Sequence, residues 1–179
     1  MNYIIFDLEA TCWEEKDKYQ SEIIEIGAVK IDDNKQITDE FNAFIKPVLH
    51  PELSEFCTKL TSINQPLVDD ASGFSHVISD LKKWIGPENE YWLCSWGFYD
   101  KKQLTSDCNL HKISLDWLNN HISVKHQHAY LKKIKRPLGL GTALKLEGME
   151  FEGTPHRGID DARNIAKIFL KYFEYWKFA

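Results

Sequence analysis

Two acidic residues near the start of the chain have the spacing needed to share a metal ion. Asp7 and Glu9 follow a short apolar run at residues 3–6, which predicts a strand buried on both faces. Side chains alternate along a strand, so both carboxylates point to the same face. Carboxylates held together beside a buried strand repel each other, and a hard divalent cation with oxygen ligands relieves that repulsion. Two solvated acids at a frayed strand end are the alternative.

Two further segments place acidic residues at the ends of elements. His156 lies in a loop before Asp160 and Asp161, which open a segment with helical apolar periodicity. Helix geometry places Asp161 on the flank that borders the sheet, whereas Asp160 faces solvent and is the better capping candidate. Asp100 follows an apolar strand and a turn at Gly97, and capping of a helix is its alternative role. Together the segments favour a shared metal centre.

The rest of the sequence predicts the elements that hold these residues. Short apolar runs predict four more strands, at residues 23–31, 41–45, 91–96 and 122–124. Helices are predicted at 74–85, after Asp100, and at 162–173. Ser72 can cap the first helix, and Gly86-Pro87 ends it. Strands in an antiparallel meander, followed by alternating helices and strands, predict an α/β fold with a mixed sheet flanked by helices.

Length and composition limit the classes of protein that fit. The 179 residues suggest one domain, 1–179, and 43% hydrophobic with 27% charged residues exclude disorder. The net charge of −5 weighs against coating duplex nucleic acid, but a nuclease can concentrate acids at a metal site. No apolar run approaches the length of a membrane helix, and from the residue pattern at the start we expect no signal peptide there. Four cysteines without a C-x-x-C pair predict reduced thiols in a cytoplasmic protein.

The acidic residues and the histidine resemble the hallmark of a known family. The hallmark of the DEDDh exonucleases is a D-x-E motif, a middle Asp and a closing H-x-x-x-x-D motif. This sequence resembles that hallmark, in the same order, at Asp7, Glu9, Asp100, His156 and Asp161. Longer segments look like the enhancer-of-RNAi-type 3′–5′ exonucleases and the similarly sized KapD-like branch: 6–12, 53–57, 148–153 and 155–166. The resemblance covers nearly the whole chain and implies a ribonuclease H-like fold. It implies a metal-dependent exonuclease that releases nucleoside 5′-monophosphates from single-stranded 3′ ends, with RNA preferred.

The resemblance also implies roles for the matching residues. Asp7 would bridge two Mg²⁺ ions, for which Mn²⁺ can substitute, while Glu9 and Asp161 hold the first ion. Asp100 would act partly through water on the second ion. His156 would be the general base, since imidazole accepts protons near neutral pH.

Substrate contacts are also implied by the resemblance. The implied contacts are Ala10, Thr11, Phe56, Leu60, Thr61 and Tyr99. In the family a terminal base stacks between two aromatic side chains, and Phe56 and Tyr99 match those positions. Core packing is the alternative role for both. Ser62 departs from a glycine that the family usually has there, which matters if the backbone needs a positive φ or the nucleotide approaches closely.

A basic stretch and an aromatic tail complete the candidate surfaces. Residues 125–136 hold four lysines and one arginine without an acid, which suggests a backbone track for single-stranded nucleic acid or a solvated helix face. Within it, His126 and His128 form an H-x-H pair that we expect on the surface rather than at a metal. The aromatic residues at 172–178 exceed what one helix stripe needs, so they dock on the domain or on a partner.

Three rival functions fit parts of this pattern. A DNA-directed proofreading or repair exonuclease would share the fold and the metal site. A non-catalytic nucleic-acid or protein-binding module would be expected to lack one or more of the acids, yet all four acids and the histidine are present. A metal-dependent phosphatase is a weaker third rival.

Overall fold

The protein is built around one five-stranded mixed sheet. The computed structural model describes residues 1–15, 19–87 and 90–178. The strands are β1 (Asn2–Ala10), β2 (Ile23–Asp32), β3 (Ile37–Phe44), β4 (Tyr91–Ser95) and β5 (His121–Ser123). Their order across the sheet is β3-β2-β1-β4-β5. The first three strands pair antiparallel, as the meander predicted, whereas β4 and β5 run parallel to β1.

In the described part of the chain, seven α-helices accompany the sheet. They are α1 (Glu55–Thr61), α2 (Gln65–Asp69), α3 (Phe74–Ile85), α4 (Tyr99–Leu110), α5 (Val124–Leu131), α6 (Leu140–Leu146) and α7 (Gly158–Lys171). Among the described residues, two short 3₁₀ helices lie at Asp116–Leu118 and Phe173–Tyr175. No helix within the described ranges combines the length and apolar character that a membrane span requires. The predicted α/β architecture is confirmed.

The central strand β1 divides the core into two layers. Ile4, Phe6 and Leu8 pack against α3 and α4, as the alternation predicted. Tyr3 and Ile5 face the other way and pack against α7. Asp7 and Glu9 continue this second row, because side chains two residues apart share a face of a strand. The carboxylates therefore emerge at the end of β1, on the face that α7 covers.

Several predicted boundaries were wrong, each for a local reason. Strand β3 begins at Ile37, before the predicted start, because its first half is exposed and carries no apolar run. Ser72 does not cap α3. The cap is Gly73, because the Ser72 carbonyl accepts a hydrogen bond from Lys46 and holds that segment extended. The helices α1, α2 and α6 have five to seven residues each, too short to show a helical period in the sequence.

Two predictions about polar side chains are also corrected. Asp160 is half-buried rather than solvent-facing, because α7 begins at Gly158 and the Asp160 carboxylate accepts the Thr154 N–H and pairs with Arg163. His128 is buried rather than on the surface, and its Nε2 lies 2.8 Å from the buried carboxylate of Glu147.

The aromatic tail docks mainly on its own domain. Phe173 and Phe178 contact the Tyr3 ring, and the buried Trp176 stacks on Phe169. Tyr175 is the exception, with 62% of its surface exposed. The tail therefore completes the core beside β1 and leaves one aromatic ring available on the surface.

Candidate active site

Three acidic side chains from two distant parts of the chain meet at the end of β1. Asp7 and Glu9 lie on β1, and Asp161 lies in the first turn of α7. Each offers a carboxylate oxygen, and these oxygens all lie within 4.8 Å of one another. The flank position predicted for Asp161 is thus confirmed.

A close contact between two glycines makes this meeting possible. Gly27 lies opposite Asp7 on β2, and Gly158 is the first residue of α7. A Cβ atom on Gly27 would lie 2.0 Å from the backbone nitrogen of Ile159. A Cβ on Gly158 would lie 3.1 Å from the carbonyl oxygen of Asp7. The absence of side chains at both positions lets the start of α7 touch the sheet beside the acids.

A buried ion pair fixes the same end of α7. The Glu25 carboxylate is fully buried and accepts two hydrogen bonds from the Arg157 guanidinium, each 3.1 Å long. It also accepts the backbone N–H of Gly158 at 3.0 Å. Glu25 lies opposite Glu9 in the β1–β2 pairing. The Glu25–Arg157 ion pair therefore ties the loop before α7 to β2, next to the acidic cluster.

The fourth acid reaches the cluster from the other side of β1. Asp100 lies in the first turn of α4, just after the end of β4, the parallel neighbour of β1. Phe98 rather than Asp100 is the N-cap residue of that helix. Asp100 is 5% exposed and lines a pocket of about 360 Å³ together with Asp7, Glu9, Asp161 and His156. All five residues predicted from the sequence therefore share one pocket.

His156 lies at the exposed edge of this pocket, in a constrained loop. Its backbone has a φ of 62°, in the left-handed region that few residues other than glycine adopt. Its backbone N–H donates to Oδ2 of Asp161 at 2.8 Å. The loop is thereby attached to the acidic cluster, while the imidazole stays accessible to solvent.

The electrostatics of the pocket favour a positive charge. Burial, reinforced by the charges on Asp100, Asp161 and Glu9, raises the pKa of Asp7 well above its usual value. Burial and the neighbouring acids raise the pKa of Glu9 to about 8. Burial also raises the pKa of Asp100 to about 7, although hydrogen bonds with Ser95 and the Leu8 backbone oppose the shift. The pKa of Asp161 is raised too, chiefly by burial.

The donor set fits hard divalent cations. Mg²⁺ and Mn²⁺ prefer carboxylate oxygens, and the cluster presents oxygens from separate elements within binding distance of one another. Among the described residues, none of the four acids forms an ion pair with a lysine or arginine. A cation would therefore relieve repulsion that no lysine or arginine of the described protein neutralises.

The geometry agrees with the matches that the chain finds among known proteins. A sequence profile of an exonuclease family, RNase_T, matches residues 4–169. The chain belongs to this exonuclease family. The Xenopus laevis ERI1 exoribonuclease 2 is 35% identical over 92% of this chain and 27% of its own length. The Homo sapiens 3′-5′ exoribonuclease 1 is 31% identical over 95% of this chain. The chain spans 52% of the length of that second relative.

Solved structures of the exonuclease family superpose closely on this fold. The nuclease domain of 3′hExo, a DEDDh family member bound to rAMP, matches with a TM-score of 0.91 and 30% identity, covering 97% of this chain and 92% of that chain. A 3′-exonuclease whose structure shows 3′-end-specific recognition of a histone mRNA stem-loop matches with a TM-score of 0.89 and 29% identity over 97% of this chain and 81% of that one. The mixed sheet is therefore that of the DEDDh exonucleases, a divalent-metal-dependent family.

The exonuclease resemblance also named six substrate contacts, which the structure divides into two groups. Tyr99, Leu60 and Phe56 are exposed at 56%, 39% and 37% of their surfaces, so core packing does not account for the two aromatic rings. Tyr99 lines the acidic pocket. Phe56 lines a separate depression with Cys12 and Trp13, just after the end of β1.

The other three predicted contacts are buried and already form hydrogen bonds within the protein. The Thr11 hydroxyl accepts the Glu22 N–H, and the Thr61 hydroxyl donates to the Cys57 carbonyl. The carbonyl of Ala10 accepts the Cys57 thiol at 3.7 Å. These residues hold the end of β1 against α1.

Ser62 adopts the backbone geometry that explains the usual glycine. It ends α1 with a φ of 59°, and its N–H donates to the Thr58 carbonyl. A helix commonly ends in this left-handed conformation, where glycine has no steric cost. Serine reproduces the conformation here, so the departure does not alter the path of the chain.

Sequence reasoning missed Leu140 and Gly27 at the site, and it named Lys125 only as part of a candidate track for nucleic acid. Lys125 and Leu140 line the pocket, yet they belong to α5 and α6, far from the motifs. Gly27 gave no signal, since one glycine in a strand does not show what approaches it. The stretch of basic residues that includes Lys125 was the single available hint.

Proposed function

We propose that this domain is a metal-dependent 3′–5′ exonuclease that releases nucleoside 5′-monophosphates from single-stranded RNA 3′ ends. The observation that carries the proposal is the meeting of Asp7, Glu9 and Asp161 in the pocket that Asp100 and His156 also line. Relatives named as exoribonucleases support RNA as the substrate.

The four acids would hold two divalent cations, Mg²⁺ with Mn²⁺ able to substitute. When bound, such ions stabilise the attacking and leaving oxygens of an in-line phosphodiester displacement. Asp7 is suited to the shared position, because it lies between Glu9 and Asp161 on one side and Asp100 on the other, and the charges of all three raise its pKa. Its place on β1, in the centre of the sheet, keeps it fixed.

His156 would be the general base that removes a proton from the attacking water. Its imidazole is exposed at the edge of the pocket, within a loop that the Asp161 carboxylate and the Glu25–Arg157 pair anchor. An imidazole held there can accept a proton and pass it to bulk solvent. General bases of this kind contribute ~10²–10⁴-fold to a rate.

The exposed aromatic rings would receive the 3′-terminal nucleotide. Tyr99 lies at the pocket beside Asp100, and Phe56 lies beside the end of β1. Stacking of this kind is worth ~1–3 kcal/mol per base and tolerates any base. It requires an unpaired end, which supports a preference for single strands.

We also propose that residues 1–179 form a single exonuclease domain in the cytoplasm. A single sheet organises the described residues. All four cysteines are free thiols, which suits a reducing compartment.

The decisive experiment uses RNA 12-mers labelled at the 5′ end or the 3′ end, with Mg²⁺, Mn²⁺ or EDTA. The proposal expects a one-nucleotide ladder from the 3′ end of 5′-labelled RNA, labelled mononucleotide from 3′-labelled RNA, and no product in EDTA. Asp7→Asn should abolish the reaction. Full activity in EDTA, or cleavage of a circular strand, would contradict it.

Two substrates separate the rival functions. Faster degradation of a matched DNA 12-mer would favour a DNA-directed exonuclease. Hydrolysis confined to mononucleotide esters would indicate a phosphatase. Metal-dependent RNA binding without turnover would indicate a non-catalytic module.

A further inference from the structure

A second groove lies on the surface beside the candidate active site. It has a volume of about 480 Å³ and lies between α5 and the C-terminal segment. Its lining residues are His126, Gln127, Tyr130, Leu131, Tyr175 and Lys177. Tyr130 and Tyr175 are 75% and 62% exposed, the two most exposed aromatic side chains among the described residues. Exposed aromatic rings that the core does not use need another explanation.

The groove has a fixed shape. The side-chain amide of Gln127 donates to the Lys177 carbonyl at 2.9 Å and accepts the Lys177 N–H at 2.8 Å. Between the two groove residues of the tail, Trp176 is buried and stacks on Phe169. Tyr175 and Lys177 are therefore held in position on the surface before any ligand binds, which lowers the entropic cost of binding.

Consecutive residues at the start of α5 line the acidic pocket and the groove. Lys125 lines the acidic pocket, and its backbone N–H donates to the Trp96 carbonyl beside it. The next residue, His126, stacks on the exposed ring of Phe98 with the ring centres 4.8 Å apart. Tyr130 follows one helical turn later on the same face, about 6 Å along the helix axis. Basic and aromatic side chains thus lead from one site to the other.

The charge along this path is positive in an acidic protein. The ammonium of Lys177 lies 5.6 Å from the centre of the Tyr130 ring. Lys101 and Lys102 flank Phe98 in a neighbouring depression. Within the described ranges, neither these lysines nor Lys125 form an ion pair, and no acid lines the groove. Unpaired lysines beside exposed aromatic rings are typical of surfaces that bind single-stranded nucleic acid.

We propose that the groove binds single-stranded RNA upstream of the 3′ end that occupies the acidic pocket. Bases would stack on Tyr130 and Tyr175, and the phosphates between the two sites would lie near Lys125 and Lys177. The inference rests on the proposed exonuclease function. It predicts that affinity increases with the length of RNA beyond the few nucleotides that the acidic pocket holds.

The test measures the affinity of labelled RNA of 3 and 12 nucleotides by fluorescence anisotropy, in an Asp7→Asn background that prevents degradation. Tyr130→Ala and Tyr175→Ala should each weaken binding of the 12-mer by ~5–150-fold, the effect of losing one stacked base. Binding of the 3-mer should stay the same. Tyr130→Phe should keep parental affinity, because it retains the ring. Lys177→Ala should weaken binding of the 12-mer, whereas the control Lys83→Ala on α3 should leave that binding unchanged.

The outcomes separate the groove from the proposed function. The proposal would be overturned if Tyr130→Ala and Tyr175→Ala bound the 12-mer as tightly as the parent does. The groove would then be assigned to another partner, such as a protein. Equal weakening of both RNA lengths would also overturn it, since it would indicate damage to the acidic pocket. If the protein without Asp7→Asn never degrades RNA, yet the length-dependent loss is observed, the groove stands and the exonuclease proposal fails.

Discussion

Gly27→Ala is expected to disrupt the geometry of the acidic site, although it replaces none of the acidic residues. The new Cβ would lie 2.0 Å from the Ile159 nitrogen and 2.1 Å from the Gly158 carbonyl carbon. Ordinary contacts begin near 3.4 Å, so the start of α7 must move away from β2 by about 1.4 Å. Both neighbouring atoms belong to the backbone, so a change of side-chain rotamer cannot absorb the overlap.

The displacement is large compared with the tolerance of a metal site. Asp161 lies three residues after Gly158 and moves with it, whereas Asp7 and Glu9 remain on β1. Mg²⁺ requires ligand distances of ~2.0–2.1 Å. Designed sites tolerate displacements of ~0.5 Å, and a 1 Å misplacement can cost ~10²-fold in rate. We therefore expect Gly27→Ala to lower Mg²⁺-dependent RNA degradation by ~10²-fold or more and stability by ~1–3 kcal/mol.

The assay compares turnover per folded molecule and Mg²⁺ affinity in Gly27→Ala with those of a matched control. Gly141→Ala is that control, because nothing lies within 4 Å of a Cβ built at Gly141, inside α6. Alanine there should be neutral or slightly stabilising. Circular dichroism and urea unfolding would establish the folded fraction of each variant.

One result would refute this reasoning. If folded Gly27→Ala binds Mg²⁺ with parental affinity and degrades RNA within about threefold of the parental rate, the glycine contact does not position Asp161. The sheet would then have absorbed the overlap elsewhere.

Three further predictions follow from the described geometry. Ser62→Gly should stabilise the protein by about 0.5–1 kcal/mol in urea unfolding, since it removes left-handed strain, and an unchanged midpoint would contradict this. In EDTA the free energy of unfolding should fall between pH 5 and pH 8, because the folded protein keeps protons on Glu9 (pKa about 8) and Asp100 (pKa about 7) that the unfolded chain releases near pH ~4. Asp7→Asn should flatten that decline, and a stability that rises with pH would refute the account. His156→Asn, which keeps the tolerance for positive φ, should cut turnover by ~10²–10⁴-fold with Mg²⁺ affinity nearly unchanged, and near-parental turnover would remove the imidazole from the mechanism.

The sequence predicted those parts of the site that depend on local periodicity. The alternation along β1 placed Asp7 and Glu9 on one face, and the apolar stripe of α7 placed Asp161 on its flank. Both follow from geometry that repeats every few residues. The resemblance to the DEDDh exonucleases then joined these residues to Asp100 and His156.

The remaining features depend on contacts between distant segments. Nothing local shows that Gly27 faces the start of α7, 131 residues later. His128 illustrates the same limit, because its burial depends on Glu147, which pairs with it across two helices. Propensity and periodicity describe one segment at a time, so such pairings stay invisible until the elements are packed.

The placement of Arg157 leaves the four acids of the pocket without an arginine partner among the described residues. It is next to His156 in sequence and feels the charge of Glu9, yet its guanidinium makes two hydrogen bonds to Glu25. Glu25 is fully buried, so removing its partner would leave an uncompensated charge, which costs ~3–5 kcal/mol. The pair therefore uses both of these hydrogen bonds on Glu25, and among the described contacts Arg157 forms no ion pair with Asp7, Glu9 or Asp161. Arg157 thus stabilises the fold through Glu25 without pairing with the four acids, and divalent ions would supply the positive charge that those acids lack.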